Sequence, residues 1–180
     1  FIEVLVHLSS GERERAGDRM QEVLAQQSSS TSYWPDDEMV RSSISDMPIY
    51  RKISRGRLRM VLEAIEDFKR GFPNSHKKGE QPVVRQECTI EHVMPQKWIQ
   101  NWNQGNLNES QIHTRDALIH TFGNLTLVSK ALNPSMSNSA WDGPKGKRQS
   151  LAEFSSIKMT SDVISLADTS QSGTWTDVLI

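Results

Sequence analysis

Three short stretches in the middle of the chain decide the fold: Thr-Ile-Glu-His-Val-Met-Pro at residues 89–95, Phe-Gly-Asn-Leu-Thr-Leu at 122–127 and Lys-Ala-Leu-Asn at 130–133. Strand composition over residues 83–90 leads into the first stretch, and strand composition over 122–128 begins at a Gly-Asn turn. Helical composition follows around 129–138. Each signal alone is common in proteins, but the order strand, strand, helix is specific. It is more specific still with Asn124 and Asn133 nine residues apart.

Helical patterns lie on both sides of these stretches. Leucine, valine, isoleucine and phenylalanine recur every three or four positions over residues 57–70, which predicts an amphipathic helix closed by Gly71. Pro35 and the three acidic residues after it predict the start of an earlier helix. Helical patterns also cover residues 109–120 and 147–154.

These patterns together predict an α+β fold. We expect a helical N-terminal lobe over residues 1–71 and a basic linker over 72–82. A ββα core with additional helices should follow over 83–180.

The length and composition set limits on the class of protein. A chain of 180 residues can form one full core or two small lobes. No stretch approaches the roughly 20 apolar residues that cross a bilayer, and the first residues lack a signal-peptide pattern, so we expect a cytoplasmic protein. Cys88 is the only cysteine, which excludes an internal disulfide and a cysteine-based zinc site. The first residue is not methionine and the last ones resemble a helix start, so we interpret the chain as part of a longer protein.

The charges are unevenly distributed along the chain. Residues 1–50 carry a net charge of −5, residues 51–100 of +5, residues 101–150 of +2 and residues 151–180 of −3. A basic middle region suits a polyanionic partner, although a solvated surface would have the same composition. After the last motif, Lys145, Lys147 and Arg148 are candidates for contacts with DNA phosphates, and Lys130 is a fourth.

The polar and charged side chains of these motifs suit phosphodiester hydrolysis. A neutral histidine can accept a proton from an attacking water near neutral pH, and His92 fits this role. The Glu91 carboxylate and the Asn133 amide oxygen are ligands that a hard divalent cation such as Mg²⁺ or Mn²⁺ prefers. Neighbours on a strand point to opposite faces, so Glu91 and His92 share one site only where the strand ends or bends. Asn133 has a rival for the ligand role in Asn138.

The motifs and their flanking residues resemble the C-terminal HNH nuclease domain of GmrSD-type restriction enzymes. This domain belongs to the ββα-metal or His-Me finger group, and related defence nucleases such as the phosphorothioate-sensing SspE carry it as well. The resemblance rests on Glu-His-Val-Met-Pro-Gln at 91–96, on His-Thr-Phe-Gly-Asn-Leu-Thr-Leu at 120–127 and on Leu-Asn-Pro-Ser-Met-Ser-Asn at 132–138. It extends upstream to residues 34–38 and 57–63, and so it covers most of the chain.

The resemblance implies roles that the residue types alone do not. Asn124 would orient the imidazole of His92, and each active site would cut one strand of double-stranded DNA, leaving a 5′ phosphate and a 3′ hydroxyl. An N-terminal NTP-hydrolysing module would sense modified DNA. Two other functions stay open, namely a catalytically inactive DNA-binding or regulatory module of the same fold and an RNA nuclease.

Several other side chains have weaker signals. His120 precedes the Gly-Asn turn, and we favour a structural hydrogen-bonding role for it over a catalytic one. Trp98, Trp102 and Trp141 could stack on bases, but tryptophan is more often part of a core.

Overall fold

The computed structural model describes residues 15–27, 29, 33–72, 88–102 and 105–180. This part of the chain combines helices with a small antiparallel sheet, which confirms the predicted α+β class. The helices are α1 (Ala16–Ala25), α2 (Asp37–Asp46), α3 (Ile49–Lys52), α4 (Arg55–Lys69), α5 (Glu109–Leu118), α6 (Asn133–Met136), α7 (Lys147–Phe154) and α8 (Lys158–Thr169). None of the helices in the described ranges is long and apolar enough to cross a membrane.

The chain divides into two compact units, Phe1–Ser43 and Ile44–Ile180. The first contains α1 and the start of α2, and no side chain of either helix is buried. The Asp36 carboxylate accepts the backbone N–H of Met39 at 2.8 Å and so satisfies one of the free donors of the first turn of α2. This helix start was predicted from the proline and the acidic residues.

The second unit is built around one hairpin. Strand β1 (Cys88–His92) pairs antiparallel with β2 (Leu125–Ser129), and the register runs from Cys88 opposite Ser129 to His92 opposite Leu125. Because side chains alternate along a strand, Ile90 and His92 point to one face of the hairpin and Thr89 and Glu91 to the other. We call these the histidine face and the glutamate face.

Each face of the hairpin is covered by its own apolar cluster. On the histidine face, Leu58 and Leu62 of α4 are fully buried in one cluster with Leu125 and Leu127 of β2. On the glutamate face, the cluster contains residues of several elements, among them Val93, Trp98, Val128, Leu132, Met136 and Leu151. The apolar stripe of α4 is therefore covered by the sheet of the second unit.

A side chain of helix α4 also caps the start of α8. The buried Glu66 carboxylate accepts the backbone N–H groups of Lys158 at 2.8 Å and Met159 at 2.9 Å. Ile157, which precedes α8, offers no capping side chain of its own. Arg70 donates its Nε–H to the same carboxylate at 2.8 Å. A charge buried on one helix thus satisfies the first donors of another.

The element boundaries differ from the sequence patterns at identifiable places. Helix α7 spans the predicted residues, but β2 begins at Leu125 because Phe122–Asn124 form a single 3₁₀ turn. Helix α6 is one turn long with Pro134 in its first turn, so the proline does not interrupt it. Helix α8 was not predicted. The proposed lobe boundaries stay a prediction, and of the linker over 72–82 only Phe72 lies within the described residues.

Candidate active site

The end of β1 carries two adjacent charged or titratable side chains to opposite faces. Strand β1 ends at His92, which is still paired with Leu125, and the chain bends at Val93 and Met94. The strand end that would let Glu91 and His92 share one site is therefore present. Both side chains are largely buried, at 8% exposure for Glu91 and 5% for His92. The two side chains nevertheless have different neighbours.

On the histidine face, the imidazole of His92 is fixed by two rings. Its Nε2 lies 3.3 Å from Nδ1 of His120, a hydrogen-bond distance at which one ring donates and the other accepts. Tyr50 lies edge-on to His92 with ring centroids 4.3 Å apart, and it stacks near His120 at 5.7 Å. The backbone N–H of Tyr50 donates to the carbonyl of His120 at 3.0 Å. The three rings therefore form a single cluster.

Both histidines of this cluster are kept neutral. Burial lowers the pKa of His92 to about 3, and the nearby charges of His120, Lys147, Arg55 and Arg51 act in the same direction. Burial also lowers the pKa of His120, helped by Arg51 and Arg55 and opposed by Asp116. Near neutral pH, His92 is thus an uncharged imidazole, and its one unprotonated ring nitrogen can accept a proton.

Asn124 holds the backbone around the histidines and not the ring of His92. Its Nδ2 donates to the carbonyls of Met94 at 2.8 Å and Ile119 at 2.9 Å. Its Oδ1 accepts the N–H of Met94 at 2.8 Å and the indole N–H of Trp175 at 3.1 Å. The predicted contact with the imidazole is thus replaced by bonds to the segment after His92 and to the residue before His120. Asn124 acts on both histidines through the main chain.

On the glutamate face, the Glu91 carboxylate is paired with a buried lysine. Lys147 Nζ lies 2.5 Å from Glu91 Oε1 and 2.5 Å from the carbonyl oxygen of His92, and its side chain is 0% exposed. Burial raises the pKa of Glu91 and lowers that of Lys147, while their mutual attraction opposes both shifts. Lys147 was predicted to contact DNA phosphates. That expectation is corrected, because its ammonium is enclosed and already bonded to protein oxygens.

A close backbone approach brings Lys147 into this position. The Cα of Gly146 lies against the main chain of Trp141 and Asp142, and a Cβ there would be 2.6 Å from the Trp141 carbonyl oxygen. The N–H of Lys147 then donates to the carbonyl of Ala140 at 2.9 Å. Only glycine permits this packing, so residue 146 determines where the lysine side chain enters the core.

Asn133 lies on the same face as Glu91. It is the first residue of α6, and its Nδ2 donates to Oγ1 of Thr89 at 2.8 Å. Thr89 and Glu91 point to the same side of β1, so the Asn133 amide lies on the face of the hairpin that carries the carboxylate. For Asn138, the rival, the contact that the structure gives is with its backbone carbonyl, which accepts from Asn101.

The oxygen donors of Glu91 and Asn133 fit a hard divalent cation in chemical type. Mg²⁺ is commonly held by one or two protein oxygens and completed by water and substrate phosphate. No group of three or more histidine, cysteine or acidic side chains that could hold a metal occurs in the described ranges. The ammonium of Lys147 already neutralises part of the Glu91 charge. Glu91 and Asn133 would therefore form a minimal ligand set.

The other predicted DNA contacts have different positions. Lys130 and Lys145 are solvent-exposed, and Lys145 has a positive φ of 63°. Arg148 forms two hydrogen bonds of 2.7 Å with Asp168, which lower the pKa of that carboxyl and raise that of the guanidinium. Lys130 and Lys145 thus remain available to a ligand, while Arg148 already has an acidic partner.

The tryptophans are part of the core. Trp98, Trp102 and Trp141 are all buried in the cluster of the glutamate face. The indole N–H groups of Trp98 and Trp102 donate to Asp116 Oδ1 and to the Ser139 carbonyl, each at 2.8 Å. Their surfaces are covered by protein, which confirms the core interpretation over base stacking.

Part of the site was not predicted from the sequence. Tyr50, Arg51 and Arg55 were assigned no individual role, whereas the hydrogen-bonding role expected of His120 agrees with its contact with His92. The basic excess beginning at residue 51 was the only sequence signal that pointed to this region. Tyr50 and Arg55 are separated from His92 by a long stretch of chain, so the fold alone brings them together.

A family of known proteins matches the chain over most of its length. The family model described as "GmrSD restriction endonucleases, C-terminal domain" matches residues 34–179. The chain belongs to this family. Comparison with curated proteins and with solved structures finds no match.

Proposed function

We propose that this domain is a metal-dependent HNH endonuclease that nicks or cleaves double-stranded DNA in a modification-linked restriction or anti-phage defence system. The observation that carries the proposal is the buried, neutral His92, whose ring is fixed by His120 and Tyr50 at the end of β1. We propose His92 as the general base. Membership of the GmrSD C-terminal family supports a nuclease reaction.

The reaction that we propose is hydrolysis of a phosphodiester. His92 accepts a proton from water as the water oxygen forms a bond to phosphorus, and the bond between phosphorus and the 3′ oxygen breaks. The leaving 3′ oxygen takes a proton from a solvent water, so the products are a 5′ phosphate and a 3′ hydroxyl. A depressed pKa keeps His92 unprotonated and able to act, although it also makes the imidazole a weaker base.

We propose that Glu91 and Asn133 would hold Mg²⁺ or Mn²⁺. Such a cation supplies charge stabilisation for the phosphate and the leaving oxygen. In the same scheme, Asn124 is a positioning residue, because its side chain bonds to Met94 and Ile119 beside the two histidines. Lys147 donates to Oε1 of the same Glu91 carboxylate.

The wider setting is also part of the proposal. The domain would act in the cytoplasm on DNA delivered by an N-terminal NTP-hydrolysing sensor module of the same chain or complex. Lys130 and Lys145 are exposed and could contact DNA phosphates outside the cleavage site.

A second candidate function is a DNA-binding or regulatory module without catalysis. The Glu91–Lys147 ion pair favours it, because an ammonium next to a ligand carboxylate opposes the binding of a cation. The two functions differ in whether DNA is cut at all.

The test is nicking of supercoiled plasmid by the whole protein, with Mg²⁺, with Mn²⁺ and with a chelator. His92→Ala should lower the rate by about 10²- to 10⁴-fold, the usual effect of losing a general base. The matched control is His113→Ala, which removes an exposed histidine of α5 and should nick at the parental rate. Circular dichroism melting checks that each variant is folded.

Three results would contradict the proposal. Nicking by folded His92→Ala at the parental rate would remove His92 from the mechanism. Absence of nicking by the parent under all metal conditions, together with DNA binding, would favour the non-catalytic module. Cleavage of single-stranded RNA but not DNA would assign the same site to an RNA nuclease.

A further inference from the structure

The turn between α3 and α4 presents two arginines beside the histidine pair. Arg51 lies in α3 and Arg55 begins α4, and both are solvent-exposed. The guanidinium carbon of Arg55 lies 3.3 Å from the centroid of the Tyr50 ring, and an N–H of the same guanidinium donates to the Tyr50 carbonyl. Tyr50 in turn contacts the ring of His92 at a centroid distance of 4.3 Å. The Arg55 guanidinium is thus one aromatic ring away from His92.

The position of the Arg55 side chain is defined by contacts and not only by charge. A guanidinium over a tyrosine ring gains a cation–π attraction and loses side-chain freedom, so Arg55 is held in place. Arginine has five N–H donors, and the contact with the Tyr50 carbonyl leaves most of them for another acceptor. The positive charges of Arg51 and Arg55 both reach His92 and His120.

Four arginines of the second unit are paired with acids of the described ranges, whereas Arg51 and Arg55 are not. The ion pairs are Arg59–Glu63, Arg70–Glu66, Arg115–Asp177 and Arg148–Asp168. Within the described part of the chain, neither Arg51 nor Arg55 forms an ion pair with a carboxylate. The neutral histidines beside them add no charge of their own. The charges of both arginines therefore act on the two histidines, and Asp116 opposes them only at His120.

We propose that Arg51 and Arg55 form a phosphate-binding site that holds a backbone phosphate of double-stranded DNA next to His92. The inference rests on the proposed function, since it gives the DNA strand a position relative to the general base. Guanidinium groups bind phosphate oxygens through paired, charge-assisted hydrogen bonds, and Tyr50 aligns Arg55 for this contact. A DNA strand held there would bring a phosphodiester next to the histidine cluster, of which Tyr50 is the partly exposed member.

The test compares two double variants that lose the same charge from the same two helices. Arg51→Ala/Arg55→Ala removes the proposed site. Lys52→Ala/Arg57→Ala removes two exposed basic residues whose charges do not act on either histidine. Both are made in the whole protein with His92→Ala, so that a labelled 20-base-pair duplex stays intact. Binding is measured by fluorescence anisotropy across a range of salt concentrations.

We expect the two variants to separate clearly. Each lost phosphate contact lowers the slope of log affinity against log salt by about one unit, so Arg51→Ala/Arg55→Ala should reduce it by up to about two. The loss should be the same for duplexes of different sequence, because phosphate contacts carry no base information. Lys52→Ala/Arg57→Ala should keep most of the parental slope. Arg55→Lys should be intermediate, since it keeps the charge and loses the paired donors.

The outcomes distinguish this proposal from the proposed function. Equal slopes and affinities for the two double variants, both folded by circular dichroism, would overturn the phosphate site even if the parent nicks plasmid. A selective loss in Arg51→Ala/Arg55→Ala supports the site, whether or not the parent cuts DNA. Weakening that affects single-stranded RNA but not duplex DNA would also overturn it.

Discussion

The two faces of the β1–β2 hairpin place adjacent residues of one strand in opposite electrostatic environments. On the glutamate face, a buried carboxylate is matched by one buried ammonium, so the local charges nearly cancel. On the histidine face, two buried imidazoles are neutral, while the nearby charges of Arg51 and Arg55 are exposed and unmatched. The charges of the glutamate face thus neutralise each other. On the histidine face, Arg51 and Arg55 have no carboxylate partner among the described residues and can bind an anion.

Strand β1 can therefore contribute to stability through Glu91 and to the proposed chemistry through His92. The Glu91–Lys147 pair also binds the carbonyl of His92, and it therefore fixes the backbone from which the imidazole projects. The histidine face can then leave its positive charges without partners at a small cost, because those charges are in water. Three substitutions test this difference between the two faces.

The largest effect is expected from Lys147→Met. Removing the ammonium leaves the Glu91 carboxylate buried without its partner, which typically costs about 3–5 kcal/mol. The free energy of unfolding from urea titration at pH 7 measures this loss. Replacing both residues by leucine should recover most of it, because the uncompensated charge is then gone.

The neighbouring residue provides the control for this prediction. Arg148→Ala breaks the exposed pair with Asp168 and should leave the urea midpoint within experimental error. If Lys147→Met and Arg148→Ala unfold at the same urea concentration, the ion pair between Glu91 and Lys147 is not buried.

A smaller effect is expected from Asn124→Ala. Met94, Ile119 and Trp175 lose their partner in the interior, and an unsatisfied buried group costs about 1–3 kcal/mol. Asn101→Ala, which removes an exposed amide, is the control and should change stability little. Because Asn124 joins the segments that carry both histidines, plasmid nicking should also slow at a protein concentration where the variant is folded. A folded, fully active Asn124→Ala would argue against a positioning role.

We expect His92, on the histidine face, to make the stability of the protein depend on pH. The pKa of His92 is about 3 in the folded protein, below its ordinary value of 6.5. Between these values the unfolded chain binds more protons, so stability is lost as the pH falls below about 6.5. The limiting slope is about 1.4 kcal/mol per pH unit. In a chelating buffer, His92→Gln should lose less stability than the parent between pH 7 and pH 5.

His113→Gln is the matched control for the titration, because it removes an exposed histidine. It should follow the parental curve. Parallel curves for the parent and His92→Gln would show that the imidazole is not desolvated, and the neutral histidine cluster would have to be abandoned.

Local patterns predicted the elements whose signals lie within them. Helix α7 has its predicted bounds, and α4 follows from its apolar spacing. The α+β class and the family follow from the order of the three motifs, which is a local property of the sequence. Asn133 was also expected near the glutamate strand, and its bond to Thr89 agrees with that.

Features that depend on distant parts of the chain were not predictable in this way. Lys-Gly-Lys-Arg at residues 145–148 has the composition of a solvated basic loop, yet Gly146 packs on the Trp141 carbonyl and sends Lys147 into the core. Tyr50 and His120 come together only when α3 docks beside the hairpin. The role expected of Asn124 changed for the same reason, since its partners are backbone groups that composition does not reveal.

The Glu66 carboxylate has a consequence for how the second unit folds. It bonds to the N–H groups of Lys158 and Met159, more than ninety positions along the chain. Helix α8 lacks a local capping side chain, so its first turn gains these bonds only after α4 has docked. Amide hydrogens of α4 and α8 should therefore exchange with solvent in the same opening event, as one cooperative segment made from two distant pieces. A contact of such high sequence separation also slows folding, because a long loop must close before α8 is stabilised.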